Sequence, residues 1–152
     1  MITLIRTNSE NNDFIDLVKH LDAELAERDG DEHAFYSQFN KIDSLNQAIV
    51  AYKNDKPIGC GATKKFDNQA MEIKRMYVYL EYRRKGIAKK ILAELECWAN
   101  ELSYKKCVLE TGKRQPEAIA FYKKNGYQLI SNYGPYTKVE NSLCFEKVVA
   151  FS

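Results

Sequence analysis

Apolar residues recur at helical spacing in three stretches of the chain and crowd into short β-forming runs elsewhere. Phe14, Leu17, Val18, Leu21 and Leu25 predict a helix over Asn12 to Arg28, which Asp29-Gly30-Asp31 stops. Ile87, Ile91, Leu92, Leu95, Trp98, Ala99 and Leu102 predict the clearest helix, Gly86 to Leu102. Pro116 opens a shorter one that runs to Asn125 and closes at Gly126. Between them, Ile2 to Ile5, Ala48 to Tyr52, Ile58 to Thr63, Ala70 to Leu80, Cys107 to Leu109, Tyr127 to Ser131 and Leu143 to Val149 read as strands. Turns at 54–56 and 66–68 make a hairpin and a third strand of residues 48–80. Residues 31–45 are weakly patterned, a loop or a short helix. The order is β-α-(α)-βββ-α-β-α-ββ, a mixed α/β class of α+β character. The strand–helix–strand run 70–111 implies one parallel pair.

Length and composition add little to this picture. The 152 residues fit one domain, and 45% hydrophobic with 29% charged residues is globular. No apolar run reaches membrane-spanning length and no secretory h-region opens the chain, so no membrane partner is expected. Cys60, Cys97, Cys107 and Cys144 are widely spaced, each in an apolar stretch, which predicts reduced thiols in a cytoplasmic protein. His20 and His33 have no ligand-like spacing to a cysteine pair, so no metal is expected.

Charge changes the picture more. The net charge is +2, too mild to argue for nucleic acid, but it is unevenly spread. Residues 8–32 carry nine acids against Lys19 and Arg28, a net −7, which leaves +9 for the rest. An acidic segment of this kind is either the polar face of a helix or a border that attracts a cationic partner.

The opposite charge gathers at 82–90, Tyr-Arg-Arg-Lys-Gly-Ile-Ala-Lys-Lys. A run of cations is commonly a solvated face, but this one sits where a strand turns into a helix. Backbone N–H groups at such a turn point outward unpaired, and the helix dipole favours an anion there. Gly86 and the small Ala88 leave the backbone bare, which suits a pyrophosphate better than a nucleic-acid groove. Gly59-Cys60-Gly61 lacks the third glycine of a dinucleotide fingerprint and reads as a strand with little room for side chains. Gly112-Lys113 has neither the upstream glycine nor the following Ser/Thr of a P-loop.

Arg83-x-x-Gly86-x-Ala88 resembles the acyl-CoA-binding motif Q/R-x-x-G-x-G/A of the GNAT superfamily of N-acyltransferases. Ala118 to Tyr127 is similar to that family's second motif, A-x-x-F/L-Y-x-x-x-G-F/Y, and the order of elements matches. The resemblance implies a single domain over 1–152, with a mostly antiparallel central sheet splayed at strands 4 and 5 and flanked by helices. It also implies acetyl transfer from acetyl-CoA, as co-substrate, to a primary amine by direct attack. In that reading the main chain at Met76, Tyr77 and Val78 binds the pantetheine arm. Arg83, Arg84, Lys85, Gly86, Ile87, Ala88 and Lys89 hold the pyrophosphate.

Tyr122 corresponds to the family's general acid, and Glu72 to a position where some members carry the base. Many members place a cofactor-contacting asparagine where this chain reads Gly112 to Pro116, with Gln115 the candidate substitute. The first helices and the last loop frame the acceptor in this family, which points to Glu24, Tyr133 and Tyr136. Family members are often dimers, so a homodimer is one assembly to test. A non-catalytic acyl-CoA sensor and a basic nucleic-acid binder are the rival readings.

Overall fold

The first helix begins where Asn11 caps it, its side chain accepting from the Phe14 N–H at 3.0 Å. In this computed structural model, which describes residues 1–30 and 45–150, that helix is α1, Asn12–Asp29. The stretch 31–44, with Asp31, Glu32 and His33, lies outside the described residues. β1 (Ile2–Thr7) precedes α1, and β2 (Gln47–Lys53), β3 (Lys56–Lys65) and β4 (Ala70–Val78) follow. Then come α2 (Ile87–Glu101), β5 (Lys106–Gly112), α3 (Pro116–Lys124), β6 (Gln128–Ile130) and β7 (Ser142–Val148).

One seven-stranded sheet runs β1-β2-β3-β4-β5-β7-β6, antiparallel throughout except for the expected parallel β4–β5 pair. The β2–β3 hairpin turns on Asn54 and Asp55, at φ 51° and 68°, the two positive-φ positions of a type I′ turn. Asp67 holds the next turn, its Oδ1 accepting from the Gln69 and Ala70 N–H groups at 2.8 Å. One face of the sheet packs α2 and α3 through Ile49, Met71, Ile91, Leu92, Leu95 and Phe145. The other packs α1 through Phe14, Leu17, Val18, Val50 and Ala62.

Two departures from the expected elements matter for the site. β4 ends at Val78, not Leu80, and Leu80–Tyr82 forms a 3₁₀ turn. Tyr79 N–H still reaches Ile58 O at 3.0 Å, but the next residue along β3 is Pro57, which has no N–H to extend a ladder. The second departure is inside β4. Cys60 pairs with Tyr77 and Ala62 with Lys74, so Gly61 alone faces Arg75 and Met76. This bulge places Arg75 at φ +60° and resets the alternation of the strand. Met71 and Ile73 face α2 before it; Met76 and Val78 do so after it, and Tyr77 joins the α1 face.

All four cysteines are free thiols. Cys60, Cys107 and Cys144 are buried as expected, whereas Cys97 is exposed on α2, its Sγ 3.3 Å from Glu101 Oε2. The helical period there puts position 97 on the solvent side of the Leu92–Leu95–Ala99 stripe. No described helix is long and apolar enough to cross a membrane.

Gly59 and Gly61 let α2 lie close on β3. A Cβ at Gly61 would stand 2.6 Å from Met76 Sδ and 2.9 Å from both Ile91 Cγ2 and Leu95 Cδ1. Gly61→Ala should therefore destabilise the fold by about 1–3 kcal/mol, read as a lower urea midpoint with an unchanged m-value. An unaltered midpoint would contradict the close packing of α2 on β3.

Candidate active site

The parallel ladder between β4 and β5 holds only at Ala70–Lys106, Met71–Cys107 and Glu72–Val108. Past Glu72 the two strands part, and a cavity of about 130 Å³ opens in the split. β4 lines it with Glu72, Lys74, Arg75 and Met76; β5 with Glu110 and Thr111; α1 with Leu21, Leu25 and Asp29. Gln115 and Tyr122, before and within α3, and Tyr136, from the β6–β7 connection, complete the lining.

Five of the residues singled out in the sequence therefore meet here: Glu72, Met76, Gln115, Tyr122 and Tyr136. Tyr122 is buried, and burial followed by the neighbouring Glu110 pushes its phenol above the ordinary tyrosine range. It stays protonated at neutral pH and can donate. Glu72 is already engaged. Its Oε2 accepts from the Tyr133 hydroxyl at 2.7 Å, and its Oε1 lies 3.7 Å from Lys74 Nζ. Tyr133 in turn stacks edge-on with Phe66 and Tyr136, at 4.7 and 6.1 Å. The Gly134–Tyr136 turn is thereby fastened to β4.

Glu110 was not legible as a site residue. Burial raises its carboxyl to about 7, a hydrogen bond from Ser142 Oγ at 2.7 Å opposes the rise, and Glu72 adds to it. The signal that could have found it is a carboxylate ending the apolar run Cys107-Val108-Leu109. Lys74 and Arg75 were missed too. Desolvation lowers the pKa of both, opposed by Glu72 for Lys74 and by Asp22 for Arg75. Two adjacent cations in a strand with exact alternation would lie on opposite faces; the bulge brings both to one cavity.

The basic turn lies between the end of β4 and α2. Arg84 and Gly86 both hold left-handed backbones, at φ 64° and 80°, and no atom lies within 4 Å of where a Gly86 Cβ would stand. The first helical bond runs from Lys90 N–H to Gly86 O at 3.1 Å. The N–H groups of Ile87, Ala88 and Lys89 thus stand ahead of the first helical bond, where the helix dipole favours an anion. Ile87 contributes only main chain, since its side chain is buried in the α2 core. Lys85 lies over the Tyr82 ring at 5.7 Å, with Lys53 and Lys56 of the β2–β3 hairpin at 5.8 and 5.6 Å.

Arg83 and Glu24, expected to serve different ligands, bind each other. Arg83 Nη2 donates to both Glu24 oxygens, at 2.9 and 3.1 Å, and Arg83 Nε donates to Val78 O at 2.8 Å. The arginine also covers the Tyr77 ring at 5.5 Å. The pair ties α1 to the end of β4, so it positions the turn and the cleft relative to each other.

The strand split with a bare helix N-terminus beside it is the arrangement that the two sequence motifs imply. The acetyltransferase (GNAT) family profile matches residues 14–127, and the chain belongs to that family. It is 28% identical over 149 residues to an IAA acetyltransferase of Azospirillum brasilense, covering 96% of this chain and 97% of that one. A Klebsiella pneumoniae structure assigned as an acyl-CoA N-acyltransferase superposes with a TM-score of 0.82 at 28% identity, over 98% of both chains. The PaiA N-acetyltransferase of Thermoplasma acidophilum, solved in complex with coenzyme A, shares the fold with a TM-score of 0.69 at 21% identity, over 97% of this chain and 99% of that one.

Glu110 makes a stability prediction. Its folded-state pKa, about 7, lies above the ordinary 4.5, so the folded protein holds this proton more tightly than the unfolded chain. The resulting stability is fully present below pH 4.5 and is lost as the pH rises through 7. Glu110→Gln should cancel that loss, gaining on wild type by at most about 3 kcal/mol between pH 4.5 and 8. Denaturant melts of both proteins across this range check it; parallel pH profiles would refute a half-buried, proton-holding Glu110.

Proposed function

We propose that the protein transfers the acetyl group of acetyl-CoA to a primary amine by direct attack within a ternary complex. The observation that carries this reading is the pairing, in one cavity, of a carboxyl ionising near 7 with a buried, protonated phenol. The first can take a proton from an ammonium at neutral pH, and the second can give one to a departing thiolate.

The bare N–H groups at Gly86 to Lys89, with Arg84 and Lys85 beside them, suit the pyrophosphate. The main chain of Met76 to Val78 has β3 on one edge only and leaves the other to the cleft, where an extended pantetheine arm can add as a strand. Glu110 deprotonates the acceptor ammonium. The freed amine attacks the thioester carbonyl, forming C–N as C–S breaks. Tyr122 protonates the sulfur and recovers a proton from the acylated nitrogen, so the overall reaction releases one proton. Glu72, held by Tyr133 and Lys74, keeps the last loop and the cleft wall in register; the basic role first considered for it passes to Glu110.

An acyl-enzyme route has little support. Burial pushes the Cys107 thiol up to about 12 and the Cys144 thiol to about 11, so neither is a ready nucleophile. A single domain, a cytoplasmic setting and a homodimer remain part of the proposal.

Thiol release from acetyl-CoA over an amine panel tests the chemistry. Tyr122→Phe and Glu110→Gln should each lower kcat about 10²–10⁴-fold. Glu110→Gln should also flatten the rising limb of kcat/KM near pH 7. Amine-dependent release untouched by either substitution would refute the assigned roles, and binding of acetyl-CoA without any release would favour a sensor. The cradle is tested by calorimetry with CoA on Gly86→Asn and Gly86→Val. Asparagine tolerates a left-handed backbone and valine does not, yet both should weaken CoA at least about tenfold if the phosphate needs bare backbone. Full affinity in Gly86→Asn would assign the glycine to conformation alone.

A further inference from the structure

One polar group in the cavity has no part in this chemistry. Arg75 sits at the β4 bulge, 7% exposed, with a positive φ that few non-glycine residues adopt. Its guanidinium pairs with Asp22 of α1, Nη1 to Oδ1 at 3.0 Å and Nη2 to Oδ2 at 3.4 Å. Its Nε is buried and has no hydrogen-bond partner, the sole such side-chain nitrogen or oxygen among the described residues. Buried donors are almost always satisfied; this one is closed even to a water-sized atom, so an acceptor reaches it as the guanidinium swings toward the cavity that Arg75 lines.

The shape of the group says which acceptor. A guanidinium offers five N–H donors in a planar fork. Asp22 takes the end formed by the two Nη atoms and leaves the side edge, where Nε–H lies parallel to an outer Nη–H. That edge matches the two oxygens of a carboxylate. Asp22 is itself half exposed, which weakens its hold on the arginine charge. Lys74, the next residue on the strand, lines the same cavity and adds a second cation.

We propose that the acceptor is an amino acid or a similar small molecule in which a carboxylate accompanies the amine. The carboxylate docks on the Nε edge of Arg75, and the amine faces Glu110. This rests on the acetyl-transfer reading above and names its substrate class. It also weighs against the alternative in which the acidic segment steers cationic amines, since Glu24 is spent on Arg83. A polyamine would leave Nε orphaned and bring cation against cation.

The test measures thiol release from acetyl-CoA with the proteinogenic amino acids, each beside its carboxamide and its decarboxylated amine. For the best acceptor, wild type should prefer the free amino acid over its carboxamide by roughly tenfold or more in kcat/KM, because a site built around a hydrogen bond rejects an analogue that cannot make it. In Arg75→Lys and Arg75→Gln that ratio should fall toward one, mainly through KM for the amino acid. Arg75→Lys keeps the charge and removes only the fork, and the wild-type ratio needs no variant, so a failure of Arg75→Gln to fold leaves the test intact. Equal use of amide and amino acid by wild type would overturn the carboxylate dock while leaving acetyl transfer standing. A preference that survives in either folded variant would overturn the assignment to Arg75. Absence of release with every amine would overturn the acetyl-transfer reading and this inference with it.

Discussion

Three residue pairs of parallel ladder between β4 and β5, followed by their separation, are the constraint on which the rest of the molecule depends. A continuous ladder would fill the space between the strands with hydrogen bonds and leave no cleft. A complete break would let the two halves of the sheet part. The short ladder at Ala70 to Glu72 joins the halves, and β7 carries the sheet on from β5 over seven pairs, Lys106–Val148 to Gly112–Ser142. The exposed flank of β4 past Glu72 is stabilised from the other side by β3 and from below by α2, whose close approach Gly59 and Gly61 permit.

The bulge at Arg75 and the ion pair between Arg83 and Glu24 tune this split. The bulge exchanges the two faces of β4 midway, sending Met76 and Val78 into the α2 core and Tyr77 toward α1. It also places two cations where regular alternation would allow one. The Arg83 guanidinium bonds both Val78 O and Glu24, so α1 is tied to the end of β4 beside the turn into α2. Arg83 and Glu24 pair with each other, and Lys74 and Arg75, which read as ordinary strand residues, line the cavity.

Electrostatics in the cleft follows from how little water reaches it. Glu110 is held near neutrality by burial, while Ser142 keeps its ionised form within reach. Glu72, opposite Val108 on the facing strand, has Tyr133 and Lys74 on its two oxygens. Glu110 and Glu72 thus have different partners in one cavity, set by environment and not by residue type.

The periodicity of apolar residues determined the elements and their order, and the glycine at 86 with the basic residues around it determined the turn proposed to hold the pyrophosphate. Both are local: a helix stripe, a β-turn or a bare N-terminus is written within a few residues. Tyr122 and Tyr136 were legible because their segments carry recognisable patterns. Glu110, Lys74 and the orphan edge of Arg75 were not, since no local signal says that β4 carries a bulge or that β5 leaves it after Glu72. Those facts depend on pairing between strands distant in the chain and on α2 packing over Gly61. Only the tertiary structure decided which charges face the cleft, because burial and partner choice, not sequence spacing, set where each side chain points and when it ionises.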